Sequence, residues 1–184
     1  MRMRIIDIAE VKTGIFASPQ HDGNIVYLQA KQFDENGRLL ATPFPELRKD
    51  GLTGRHLLEK GDVLFAAKGA KNFAAVYDGS FPAVASTTFF VIRPRRENVI
   101  PEYIVWLLNG DQTQAELKRG ARGSSIVSIS KSVVEKLELE IPTVGKQKQI
   151  LEAIRLSNKE QELRSRIAEL RHRLIKTAVM RSIN

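Results

Sequence analysis

The chain of 184 residues contains no cysteine. That excludes both a disulfide framework and a thiolate metal site. Its three histidines, His21, His56 and His172, lie far apart and lack the spacing of paired metal ligands. No apolar run approaches the roughly 18 residues that a membrane span needs. The opening stretch "MRMRIIDIAEVKTG" is too short in apolar residues for a secretory leader, and Asp7 and Glu10 interrupt it. These absences predict a soluble, cytoplasmic protein with no membrane partner and no metal ligand.

Catalytic signatures are missing as well. There is no Gly-x-Ser-x-Gly elbow and no His-Glu-x-x-His helix. There is no Gly-x-Gly-x-x-Gly fingerprint. Gly69-Ala70-Lys71-Asn72 lacks the upstream glycine and the hydroxyl of a phosphate-cradling loop. Glu10-Val11-Lys12 matches half of a metal-dependent nuclease motif. The nearby upstream acid, Asp7, is too close in sequence to be the separate strand-end ligand, so the match reads as chance. Glu138 and Glu140 alternate along one segment and read as solvated carboxylates, not an acid–base pair. No catalytic residue is assigned, and no cofactor is expected in this chain.

What is present is positive charge. The net charge is +8 and the isoelectric point near 9.9. Such a balance predicts a polyanionic partner, nucleic acid first among them.

Strand-like runs fill the first half. "IVYLQA" at 25–30 is rich in β-branched and aromatic residues, and Asn36-Gly37 is a strong turn signal. The stretch 42–51, punctuated by Pro43 and Pro45, reads as an irregular connection. Two apolar runs, 62–67 and 73–77, flank the tip Lys68-Gly69-Ala70-Lys71-Asn72 and predict a hairpin. Residues 83–94 read as one further strand. At Pro101 the period changes to that of a helix, which ends at Asn109-Gly110 with Ile104, Leu107 and Leu108 on one face. A second helical piece covers 112–118, and 137–141 reads as a strand that stops at Pro142. Beyond Gly145 there is neither proline nor glycine. Leu156, Leu163, Ile167, Leu170 and Leu174 follow the 3–4 spacing of a coiled-coil seam, with Glu160 as a polar interruption.

The expectation is an α+β chain with two parts. Residues 1–142 form a DNA-binding domain built on a mixed, twisted β-sheet with short helices. Residues 143–184 form one long α-helix that pairs with a second copy as a coiled coil.

Basic and amide side chains gather at the predicted element ends, where a rigid scaffold presents binding groups. Lys68, Lys71 and Asn72 sit on the hairpin tip. Arg119, Arg122, Ser124 and Ser125 surround a glycine-rich stretch, and Gln29, Lys31 and Gln32 follow the strand at 25–30. Arg93, Arg95 and Arg96 end another strand. Arginine and lysine suit phosphates and guanine edges, asparagine and glutamine suit adenine edges.

The order of four motifs carries a resemblance. They are "KGDVLFAAKG" at 60–69, "YIVWLLNG" at 103–110, "RGARGSSIVSISKSVVEKLELEIP" at 119–142 and "KQKQI" opening the last helix. Over Asp7 to Ile154 the chain resembles the target-recognition domain and spacer helix of type I restriction–modification specificity subunits. That family has a Gly-Asp-Ile/Val-Leu strand, a tyrosine-bearing helix ending Leu-Leu-Asn, a glycine-rich stretch and an Ile-Pro strand end. Its members usually carry two recognition domains and two long helices; this chain shows one of each and looks like a half-subunit. The helix start also differs, with Pro142-Thr143-Val144 and Lys146-Gln147 at its entry.

The resemblance implies a chain that reads half of a bipartite target in double-stranded DNA and homodimerises through its helix. It implies docking to methyltransferase subunits, and possible association with restriction subunits. S-adenosylmethionine, ATP and magnesium would then belong to those partners. The competing expectations are a non-catalytic coiled-coil adaptor of a DNA-associated defence complex and, last, a small nuclease around Glu10 and Lys12.

Overall fold

The computed structural model describes residues 1–18, 20, 22–69, 72–120 and 128–183. Strand β1 (Arg2–Arg4) runs into a single helical turn, α1 (Ile5–Ile8), and on into β2 (Ala9–Thr13). Strand β3 (Ile25–Leu28) leads to a 3-10 turn at Ala30–Gln32. Then follow β4 (Pro45–Leu47), α2 (Gly51–Arg55), β5 (Val63–Ala66), β6 (Ala74–Val76), β7 (Ala83–Ala85) and β8 (Phe89–Pro94). Helices α3 (Pro101–Asn109), α4 (Asp111–Gly120) and α5 (Lys131–Lys136) precede β9 (Glu138–Glu140) and the terminal helix α6 (Val144–Ile183). The chain divides into two compact units, Met1–Val144 and Gly145–Asn184.

In the first unit an antiparallel sheet has the order β2-β8-β5-β6, and a mixed sheet has the order β4-β3-β7. Strands β1 and β9 pair separately, antiparallel. Strand β3 explains its own composition. Val26 and Leu28 face one apolar cluster, with Leu64, Phe89 and Val91. Ile25 and Tyr27 face another, with Ile15, Leu47 and Val84. A strand buried on both faces needs an unbroken apolar run, because alternate side chains point to opposite faces.

Two expectations are corrected. Residues 83–94 do not form one strand. The chain turns at Ser86–Thr88, where the two hydroxyls lie 2.6 Å apart and the Phe89 N–H donates to the Ser86 carbonyl. This turn sends β7 into one sheet and β8 into the other. Nor is 42–51 irregular throughout. Pro45 opens the edge strand β4, a position that does not require its missing N–H. Asp50 then caps α2, its Oδ1 accepting from the N–H groups of Leu52 and Thr53.

Gly14 joins the two sheets. Its N–H donates to Phe89 and that of Ile15 donates to Ala85. A Cβ on Gly14 would stand 2.0 Å from the Ser86 carbonyl oxygen, so only glycine allows this approach.

The second unit is one helix of 40 residues, about 60 Å long at 1.5 Å per residue. From residue 155 to 180 every side chain is exposed. Ion pairs at i, i+3 and i, i+4 spacing, such as Arg164–Glu160 and Arg173–Glu169, lie along it.

Candidate nucleic-acid interface

The hairpin predicted around Lys68 is present. Strands β5 and β6 pair antiparallel with Val63 opposite Val76 and Phe65 opposite Ala74. At the tip Asn72 donates from Nδ2 to the Ala66 carbonyl at 2.9 Å, closing the turn from within. Gly69 has φ +134°, a conformation that side-chain-bearing residues rarely adopt. The neighbouring backbone holds the tip from outside. Lys68 forms a bridge with Ser128, and the Ile129 N–H donates to the Ala67 carbonyl.

A second arm approaches this tip. After β3 the 3-10 turn is closed by Gln32, whose Oε1 accepts from the Gln29 N–H at 2.8 Å. The chain then reverses between Phe33 and Leu39, which pair across a tight turn. Asp34 holds that turn, its Oδ1 accepting from the N–H groups of Asn36 and Arg38. Phe33 anchors the arm, its ring 5.5 Å from that of Phe73 and 5.6 Å from that of Phe89.

The two arms border one cleft of about 560 Å³. Lys31, Asp34 and Asn36 line one wall, Lys68 and Gly69 the other, with Phe33 and Phe73 between. Lys31 and Lys68 are distant in sequence, and neither makes an ion pair among the described residues. With an apolar floor and both ammonium and carboxylate groups in its lining, the cleft suits a ligand whose anionic groups are set apart from polar, partly apolar ones.

Other cations are already engaged. Arg93 donates from Nε to Asp62 Oδ1 at 2.7 Å, from NH2 to Oδ2 at 2.8 Å, and from NH1 to Glu59. That engagement raises its pKa, chiefly through Asp62. Arg96 donates to the Asp7 carbonyl. Arg95 lies 2.8 Å and Lys12 3.6 Å from Glu10. These cations, Arg95 foremost, hold the Glu10 carboxyl below the usual carboxylate range. The Glu10–Lys12 motif is thus part of a surface ion-pair cluster. Among the described residues no three histidine, aspartate or glutamate side chains gather where a metal ion would sit.

Of the ten residues predicted to meet DNA, Lys31 and Lys68 are brought together. Gln29, Gln32 and Asn72 stand beside them in the same two arms. Arg119 is not among the cleft's lining residues; it sits on α4, donating to the Ala115 carbonyl at 3.4 Å. Lys71, Arg122, Ser124 and Ser125 lie outside the described residues. Asn36 lines the cleft although its sequence context signals only a turn. On α6 the predicted seam is exposed: Leu156 55%, Leu163 51%, Ile167 49%, Leu170 48% and Leu174 71%.

The model of the type I restriction modification DNA specificity domain matches residues 1–169. The chain belongs to that family. As a specificity-domain chain it is similar in fold to three solved structures. One comes from a structural study of complex assembly and conformational transition of the type I R-M system, with a TM-score of 0.64 and 13% identity. The second is the HsdS subunit from Thermoanaerobacter tengcongensis, with a TM-score of 0.61 and 12% identity. The third is the type I restriction-modification S subunit from M. genitalium, with a TM-score of 0.57 and 16% identity. The matches cover 87%, 87% and 88% of this chain but only 38%, 37% and 39% of those chains. No curated protein matches the chain. The family and the α+β fold agree with the resemblance carried by the motif order, and among the described residues no helix is long and apolar enough to cross a membrane.

Proposed function

We propose that this specificity-domain chain is a cytoplasmic, non-catalytic subunit that reads one half of a bipartite target in double-stranded DNA. The observation that carries the proposal is the cleft between the two arms. It presents Lys31 and Lys68, neither in an ion pair among the described residues, on a domain whose family is defined by DNA specificity. Phosphate contacts from such lysines set position, and neighbouring amides read base edges.

The exposed seam of α6 supports pairing with a second copy. Two-fold symmetry would then make the target an interrupted palindrome, its spacing set by the paired helices. Methyltransferase subunits dock on this dimer, and restriction subunits join through the same complex. Methylation and cleavage, with S-adenosylmethionine, ATP and magnesium, belong to those partners.

The test is selection of bound sequences from a random duplex library, with the methyltransferase subunit present. Enrichment of a split, two-fold symmetric site is expected. Tight binding without enrichment would instead favour a coiled-coil adaptor, whose working surface is the seam of α6.

A further inference from the structure

The turn at residues 34–38 carries more than a change of direction. Asn36 is exposed, lines the same cleft as Lys31 and Lys68, and makes no side-chain hydrogen bond among the described residues. Its backbone is fixed independently of that side chain. The Asn36 N–H donates to Asp34 Oδ1 at 2.9 Å, and the Asp34 N–H donates to the Arg38 carbonyl at 2.8 Å. The turn is also pressed against the hairpin. A Cβ on Gly37, at φ +75°, would stand 2.5 Å from the Ala74 carbonyl oxygen. Asn36 is therefore a primary amide held on a rigid support in the same cleft as Lys31 and Lys68, the preorganisation that a recognition group needs.

The chemistry of the wall selects what that amide meets. Asp34 and Glu35 share it. The Asp34 carboxylate beside Asn36 disfavours a phosphate at that point of the wall, so the amide suits a base edge, while Lys31 and Lys68 suit the backbone. An amide offers a donor and an acceptor side by side. In the major groove adenine presents the matching pair, the N7 acceptor and the N6 amino donor.

We propose that Asn36 reads an adenine in the target half-site by a bidentate pair, with Lys31 and Lys68 on the adjoining phosphates. This rests on the DNA-recognition reading above and names a specificity-determining residue within it. Asn36 has a negative φ, so aspartate and alanine fit the same backbone.

The test is the library selection repeated with Asn36→Ala and Asn36→Asp, each with the methyltransferase subunit. The native chain should enrich a motif containing adenine. Asn36→Ala should lose about tenfold or more of the preference for adenine at one position and keep the others. Asn36→Asp should move that position toward cytosine, whose N4 amino group donates to a carboxylate. If the native motif persists unchanged in both variants, Asn36 does not read a base, while the DNA-recognition reading stands. Uniform loss of preference at every position would also overturn the proposal, because it would mark a role in shape. No enrichment by the native chain would overturn both.

Discussion

Arg93 shows how little a basic residue's identity says about its task. It lies near the end of a β-strand in a +8 chain, where a DNA contact could be placed, yet its guanidinium forks onto Asp62. The Asp62 side chain is 1% exposed, whereas that of Arg93 is 22% exposed. Removing the arginine leaves a buried carboxylate with, among the described residues, only the Glu59 N–H as a partner outside the pair. Arg93→Ala should therefore lower stability by about 3 kcal/mol, read as a shift of the urea midpoint. A loss below about 1 kcal/mol would mean that water replaces the arginine. Lys68 is the opposite case, a cation without an ion-pair partner among the described residues. Lys68→Glu should weaken DNA binding and reduce the slope of log affinity against log salt by about one. An unchanged slope across several salt concentrations would remove the hairpin tip from the interface.

At the scale of elements, the ends of helices do more than terminate them. The "LLNG" ending of α3 reads in sequence as a stop signal. In the fold, Asn109 turns its side chain onto β6, the edge of the antiparallel sheet. Its Oδ1 accepts from the Ala74 N–H at 2.7 Å, and its Nδ2 donates to the Ala74 carbonyl at 3.0 Å. The amide thereby takes the place of a neighbouring strand and covers an otherwise open edge. Asn109→Ala would leave a donor and an acceptor without protein partners, and a loss of about 2 kcal/mol is expected from chemical unfolding. Faster amide exchange at Ala74 should accompany it; unchanged exchange there would refute the link between helix end and strand edge. The corrected segments belong to this scale too. The division of 83–94 between two sheets depends on Ser86 donating its N–H to the Leu28 carbonyl, a contact made far along the chain.

For the whole molecule the decisive feature is α6. Its seam side chains are 48–71% exposed in the single chain, and charged pairs flank them. Water against a repeated apolar seam is unfavourable, by about 25 cal/mol per Å² of apolar surface that a partner would cover. Replacing both Leu163 and Leu170 with glutamine should convert a dimer to a monomer, seen as a halved mass in light scattering. DNA selection should then lose the symmetric second half-site while keeping the first. A native chain that is already monomeric at every accessible concentration would count against pairing through this helix.

Features that depend on neighbours along the chain were legible from residue order alone. Periodicity marked α3 and α6, Pro101 and Gly110 bounded one helix, a β-branched and aromatic run marked β3, and an apolar run marked β5. The absence of catalytic motifs and the order of the remaining ones sufficed for the family. Which polar groups remain for a ligand depended on contacts between segments far apart in the chain. Arg93 lost its freedom to a carboxylate 31 residues away, and Asn36 came to line a cleft where its turn packs against β6. Both outcomes follow from long-range pairing. A side chain's type states which bonds it can form, but only its neighbours in space settle which of those bonds are already made.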